Sequence, residues 1–152
     1  MIIIIRCFVI DKVIISGTSM YPTLENKDVC LMKKNGLSDV KRYDIVIAKV
    51  NGKQVVKRVV GMSGDTIQIK ENTVYINGEK IADEYDFVTT YSGIAESIVI
   101  KEGEYFLLGD NRDNSFDSRD FGNVKFEHII GIVSVRIFPF PIENLQRNER
   151  CL

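Results

Sequence analysis

Histidine is almost missing from the sequence: His128 is the one imidazole, set in Phe126-Glu127-His128-Ile129-Ile130 with no nucleophile nearby. That nearly excludes a Ser-His-Asp arrangement, leaves His128 a structural reading, and obliges any serine nucleophile to use another base. Cysteine is also scarce. Cys7, Cys30 and Cys151 are odd in number and far apart, which gives neither a disulfide framework nor a CxxC metal pair. No basic excess is present: 20 Lys+Arg stand against 21 Asp+Glu for a net charge of −1, which argues against a nucleic-acid binder. There is no internal repeat, no low-complexity tract, and no run of the roughly 20 apolar residues that a membrane-crossing helix needs. What is present is ordinary globular composition, 45% hydrophobic and 27% charged over 152 residues, long enough for one domain with a real core.

Residues 1–10 are apolar at nine of ten positions, Arg6 excepted; Asp11 and Lys12 interrupt, and Val13, Ile14 and Ile15 resume. The run is too short to span a bilayer and lacks the small-residue cleavage site of a secretory signal. Two readings stand side by side: a buried first strand, or the outer end of a membrane anchor whose earlier part lies outside this chain.

Beyond residue 28 the pattern is that of short strands. Apolar or alternating runs occupy residues 29–32, 45–50, 54–60, 66–70, 73–76, 80–82, 98–101, 104–108 and 129–138. Turn signals separate them, among them Asn51-Gly52-Lys53, Gly61-Met62-Ser63-Gly64-Asp65, Asn77-Gly78 and Glu102-Gly103, and Pro139 and Pro141 stop the last run. Asn-Gly between two such runs is a strong hairpin cue. Many short strands with little helical periodicity predict an all-β fold of mainly antiparallel sheets, sandwich- or barrel-like, with little helix. The expected organisation is an apolar segment at 1–12, a single β domain at 13–142 with a small irregular insertion near 83–96, and a polar tail at 143–152 forming a frayed turn or short helix.

Three stretches bear on chemistry. Ser16-Gly17-Thr18-Ser19-Met20-Tyr21-Pro22-Thr23-Leu24 reads as a small-residue turn that holds a serine out from a sheet edge; alone, it is equally an inert Ser/Thr turn. Lys57 lies in Val55-Val56-Lys57-Arg58-Val59-Val60, where alternation puts Lys57 and Arg58 on opposite faces, so one of them points into whichever face is buried. A desolvated lysine loses proton affinity and accepts a serine proton near neutral pH, whereas arginine stays protonated. The plain alternative is a lysine snorkelling from an edge strand. In the segment from Gly109 to Gly122, ten of fourteen residues are Asp, Asn, Arg or Ser. The close alternation of Asp and Arg suits an interlocked ion-pair network better than a Ca²⁺ loop, whose regular acidic spacing is missing.

These stretches together resemble the type I signal peptidases (leader peptidases), membrane-anchored serine proteases with a Ser-Lys dyad. The likeness rests on Ser19-Met20-Tyr21-Pro22-Thr23-Leu24, on Lys57-Arg58-Val59-Val60-Gly61 with Gly64-Asp65, and on Gly109 through Gly122, in the family's order. It implies Ser19 as nucleophile, Lys57 as general base, Ser115 as a hydrogen-bond partner orienting the lysine amine, and Asp117 with Arg119 as an ion pair supporting the site wall. It further implies the Ser19 backbone N–H as oxyanion donor. Ile15, Met20, Leu24 and Val56 become candidate walls of shallow pockets for small residues before the cut. The implied partners are secretory preproteins, met at the C-terminal end of their signal peptides, and the lipid membrane, with the catalytic domain on its extracytoplasmic side. No metal or organic cofactor is implied, and the short 83–96 stretch resembles the compact Gram-positive form.

Two positions depart from the pattern: Gly17 stands where some members carry an oxyanion-donating serine, and Ser63 replaces a proline usual in the Gly-x-Pro-Gly-Asp turn. Two competing readings are a self-cleaving repressor of the Ser-Lys type and a non-catalytic β-rich binding module. The first would need a DNA-reading domain or an internal cleavage site. The second is separated from an enzyme by whether Ser19 and Lys57 meet in space.

Overall fold

Strand alternation and Asn-Gly turns build nearly everything in the computed structural model, which describes residues 10–34, 40–70, 73–81, 94–139 and 143–145. The strands are β1 (Ile10–Ile14), β2 (Val29–Lys33), β3 (Ile45–Val50), β4 (Lys53–Gly61), β5 (Thr66–Lys70), β6 (Thr73–Ile76), β7 (Glu79–Lys80), β8 (Ile94–Val99), β9 (Glu104–Leu108), β10 (Val124–Lys125), β11 (Ile129–Phe138) and β12 (Glu143–Asn144). Among the described residues one short α-helix, α1 (Ser118–Phe121), accompanies them. The expected all-β, mainly antiparallel fold is therefore the observed one.

The strands form two sheets. The larger runs β1-β2-β11-β3-β4-β9-β10, with β12 against β11, and the smaller runs β7-β6-β5-β8; every pairing is antiparallel. The Asn51-Gly52 turn joins β3 and β4 with positive φ at both residues (49° and 78°), the type I′ geometry that matches strand twist. Glu102-Gly103 behaves differently. It does not close a hairpin but hands the chain from β8, paired with β5, to β9, paired with β4.

The large sheet is covered on both faces. Ile45 and Ile47 of β3 pack with Ile15, Met20, Leu24, Cys30, Met32 and Val133, whereas Val46 and Ala48 pack on the other side with Val59, Leu107, Ile129 and Ile132. This settles the alternation at Lys57 and Arg58 in an unexpected way: with two buried faces, both are buried, not one. A third cluster joins Ile67, Ile69 and Val74 of the small sheet to Val60, Phe106 and Leu108 of the large one.

Residues 1–9, most of the 83–96 stretch and residues 146–152 lie outside the described residues; Ile94 to Glu96 belong to β8, and Glu143–Asn144 is a strand rather than a turn or helix. The buried Cys30 thiol is pushed up to about 11 by burial and by Asp28, against the pull of Arg136, which suits a packing role and not a reactive one.

Candidate active site

Ser19 is presented by the loop between β1 and β2. That loop is fixed by its own apolar residues, since Met20 and Leu24 are 1% and 0% exposed. Burying such side chains contributes about 1.5–3 kcal/mol each. A turn bond from Tyr21 N–H to Thr18 O (3.1 Å) and one from Leu24 N–H to Met20 O (2.9 Å) shape the backbone around the serine. The result is a half-buried Ser19 between two buried neighbours in space, the core beneath and Lys57 beside it.

Lys57 reaches Ser19 from β4. Its Nζ lies 2.7 Å from Ser19 Oγ and donates to the Val56 carbonyl at 3.0 Å, and no carboxylate touches it among the described residues. Burial pushes its ammonium below the ordinary lysine range; Asp117 and then Asp110 oppose this, and Arg119 reinforces it. Burial prevails because both carboxylates are already engaged by guanidinium groups. Arg58 Nε and Nη2 donate to Asp110 at 2.7 and 2.6 Å, and Arg119 Nε and Nη2 donate to Asp117 at 2.8 and 2.9 Å.

The sequence-predicted residues are not all where the resemblance put them. Asp117 and Arg119 do form an ion pair, and Asp117 also caps α1 and accepts the Gly109 N–H at 3.0 Å. Ser115 does not hydrogen-bond the lysine amine: its Oγ is buried without a hydrogen-bond partner among the described residues. The Val56 carbonyl accepts the lysine N–H instead. Ser115 instead lies against Gly109, where a Cβ would stand 2.1 Å from its Oγ and 2.6 Å from Ser19 O, so only glycine lets the two segments approach.

A cleft of about 280 Å³ opens beside the pair. One wall is the end of β1 and the following turn, residues 13–17; the other is the start of β4, Gln54 to Lys57, with Ser19, Met20 and Ile47 between. Ile15, Met20 and Val56 line it. Leu24 does not, being packed wholly into the core below. Both walls are strand edges. β1 pairs with β2 alone, and β4 meets β9 only from Arg58 onward, which leaves its first half without a strand on that side among the described residues. In a type I′ hairpin the pair flanking the turn, Val50 and Lys53, is hydrogen-bonded, so alternation turns the backbone amides of Gln54 and Val56 toward the cleft.

Residue reasoning missed the groups that hold the two catalytic candidates together. Arg58 also donates to Tyr43 O at 2.8 Å, and Thr23 Oγ1 donates to Asp110 Oδ2 at 2.6 Å, so Asp110 ties the serine loop to β4. Asn111 N–H donates to Ser19 O at 3.0 Å. The available signal was the adjacency itself: Thr23, Arg58, Asp110 and Asn111 all lie inside the three motif blocks. Among the described residues no group of His, Cys, Asp and Glu is placed to hold a metal ion.

Comparison with known proteins bears on this geometry. A family model described as signal peptidase, peptidase S26, matches residues 1–138. Signal peptidase I T of Bacillus subtilis (strain 168) is 36% identical over 154 residues, covering 91% of this chain and 79% of its own. Signal peptidase I of Bacillus caldolyticus is 35% identical over 154 residues, covering 90% and 84%. The crystal structure of a signal peptidase I from Enterococcus faecalis V583 matches with a TM-score of 0.54 at 32% identity, over 63% of this chain and 97% of that one. Motifs, sheet and relatives agree, and the chain belongs to the signal peptidase family, peptidase S26, as a serine-type endopeptidase of the signal peptidase I type.

Proposed function

We propose that this chain removes signal peptides from exported preproteins by a Ser19-Lys57 dyad acting through an acyl-enzyme. The observation that carries the proposal is the 2.7 Å approach of Lys57 Nζ to Ser19 Oγ, with the amine buried and, among the described residues, met only by neutral oxygens. A neutral amine directs its lone pair at the serine hydroxyl. Ser19 Oγ attacks the scissile carbonyl carbon as its proton passes to Lys57, and the oxyanion is met by the Ser19 N–H. The resulting ammonium gives that proton to the departing amine as the C–N bond breaks. Neutral Lys57 then takes a proton from water, the hydroxide attacks the ester, and the proton returns to Ser19.

The cleft suits an extended peptide. The open edges of β1 and β4, the latter with outward amides at Gln54 and Val56, bind main chain by strand addition, and the apolar walls at Ile15, Met20 and Val56 favour small side chains before the cut. The segment at residues 1–10 supports attachment at the outer face of the cytoplasmic membrane, where exported precursors emerge; among the described residues no helix is long and apolar enough to cross a membrane. Co-sedimentation with lipid vesicles tests that attachment: loss of pelleting on deleting residues 1–10 is expected, and clean recovery of the intact chain in the supernatant contradicts it. The dyad is tested by cleavage of a preprotein. Ser19→Ala and Lys57→Ala should each be inactive with an unchanged fold, and near-normal turnover by either contradicts the mechanism.

A further inference from the structure

Two carbonyl groups flank the nucleophile's amide, and one segment holds both. Ser19 O accepts the Asn111 backbone N–H at 3.0 Å, and Thr18 O accepts the Asn111 side-chain amide at 3.1 Å beside the Tyr21 N–H. The Thr18 hydroxyl accepts from Asn114 Nδ2 at 3.1 Å. Thr18 therefore turns its side chain and its carbonyl to the 109–114 segment, while Gly17, Ser19 and Met20 line the cleft. The Gly17 N–H is already given to Asn26 Oδ1 at 3.0 Å. The Ser19 N–H has no acceptor among the described residues.

A trans peptide is planar, with C=O and N–H pointing in opposite directions. Holding Thr18 O on Asn111 therefore aims the Ser19 N–H the other way, toward the cleft. A donor on the carbonyl also draws electron density to oxygen and makes the N–H of that amide a stronger donor. We infer that Asn111 is a positioning residue for the oxyanion site. Its side chain sets and polarises the Thr18–Ser19 peptide so that the Ser19 N–H meets the developing oxyanion, and Asn114 anchors Thr18 in support. Gly17 makes this arrangement consequential: it supplies no side-chain donor, and its φ of 96° gives the loop freedom that some contact must remove. The inference rests on the dyad reading above and extends it to a residue that need not touch substrate.

Asn111→Asp keeps the size of the side chain and the backbone bond to Ser19 O, but turns the donor facing Thr18 O into an acceptor. Asn111→Ala removes the donor outright and serves if the first variant fails to fold. Both are assayed on a signal-peptide substrate and with a peptide aldehyde of the same sequence. Ser19 Oγ adds to the aldehyde carbon, its proton passes to Lys57, and the carbonyl oxygen becomes the oxyanion of a tetrahedral adduct. We expect kcat to fall about 10- to 100-fold, less than deleting an oxyanion donor itself. Aldehyde affinity should fall by a similar factor, with KM within about twofold, and in Asn111→Ala, which adds no charge, the acidic limb of the pH profile should be unmoved. Asn114→Ala should move the same quantities the same way by less. A kcat and aldehyde affinity within about twofold of wild type, or a rise in KM alone, overturns the assignment. Ser19→Ala separates the two levels. If it retains turnover the dyad reading fails; if it is inactive while the folded Asn111 variants are unaffected, only the positioning role fails.

Discussion

Lys57 and Arg58 are neighbours on β4, both cationic in water and both nearly buried, at 4% and 3% exposure, yet their surroundings are opposite. Arg58 has two charge-assisted bonds to Asp110 and a third to Tyr43 O. Lys57 has a serine hydroxyl and a backbone carbonyl. A buried charge with a full set of partners stays charged and fixes the structure around it. One without a counter-ion is pushed toward its neutral form. The lesson is that burial alone does not make a base. The pairing of Asp110 and Asp117 with arginines is what leaves Lys57 without a counter-ion in contact among the described residues, so in the proposed dyad the ion pairs of the site wall act on catalysis through the lysine's charge.

The largest effects should come from exchanging these roles. Lys57→Arg places a permanently charged group beside Ser19, and turnover should drop by more than about 10³-fold, as for Ser19→Ala. Retention of substantial turnover by Lys57→Arg would remove the lysine from the chemistry. Next is Arg58→Met, which leaves Asp110 buried without its cation and should cost about 3–5 kcal/mol in denaturant unfolding at neutral pH. Adding Asp110→Leu should recover much of that loss. A single variant within about 1 kcal/mol of wild type would show that the pair is not structural.

Lys57→Met should behave in the opposite sense and raise Tm by on the order of a few degrees, since it removes a desolvated amine. The sign with pH follows from linkage. The folded-state pKa of Lys57 lies below its unfolded value, so the penalty is full below the folded pKa and fades as pH rises to about 10.4. The Tm advantage of Lys57→Met should therefore shrink across that interval, and an advantage constant with pH would contradict the cause. The smallest expected effect on activity is in Arg119→Met, whose stability cost should resemble that of Arg58→Met because Asp117 is equally buried. Removing a charge that lowers the Lys57 pKa and engages Asp117 should move the acidic limb of activity to higher pH. A limb that stays in place in the folded variant would show that Asp117 is not felt at Lys57.

Much of this comparison was legible in the sequence, and the reasons for the rest are physical. The bounds of β11 match the apolar run at 129–138 because Pro139 ends it, and β3 and β4 follow from an Asn-Gly turn with the required positive φ. Period-two alternation identifies a strand but not its partner, so the transfer from the small to the large sheet at Glu102-Gly103 could not be read. Alternation likewise assigned Lys57 and Arg58 to opposite faces without showing that both faces are covered. The serine and lysine were marked by their motif blocks. Their support lay in the same blocks, but which of its residues meet was not legible: Asp110, Asn111 and Thr23 act through contacts across nearly ninety residues of chain, as in Thr23 to Asp110. Ser115 was named by resemblance alone; in the structure the carbonyl of Val56, which has no side-chain signature, accepts the lysine N–H, and Ser115 Oγ has no hydrogen-bond partner among the described residues.

The most direct test is the pH dependence of kcat/KM, which reports the free enzyme's essential base, measured for wild type and for His128→Gln. His128 sits on an exposed turn with its side chain 52% accessible and is the alternative candidate base. A neutral Lys57 predicts activity rising with pH through a pKa below the ordinary lysine value of about 10.4, with the same limb in both proteins. A limb that disappears in His128→Gln, or one that sits at the ordinary lysine value, would contradict it.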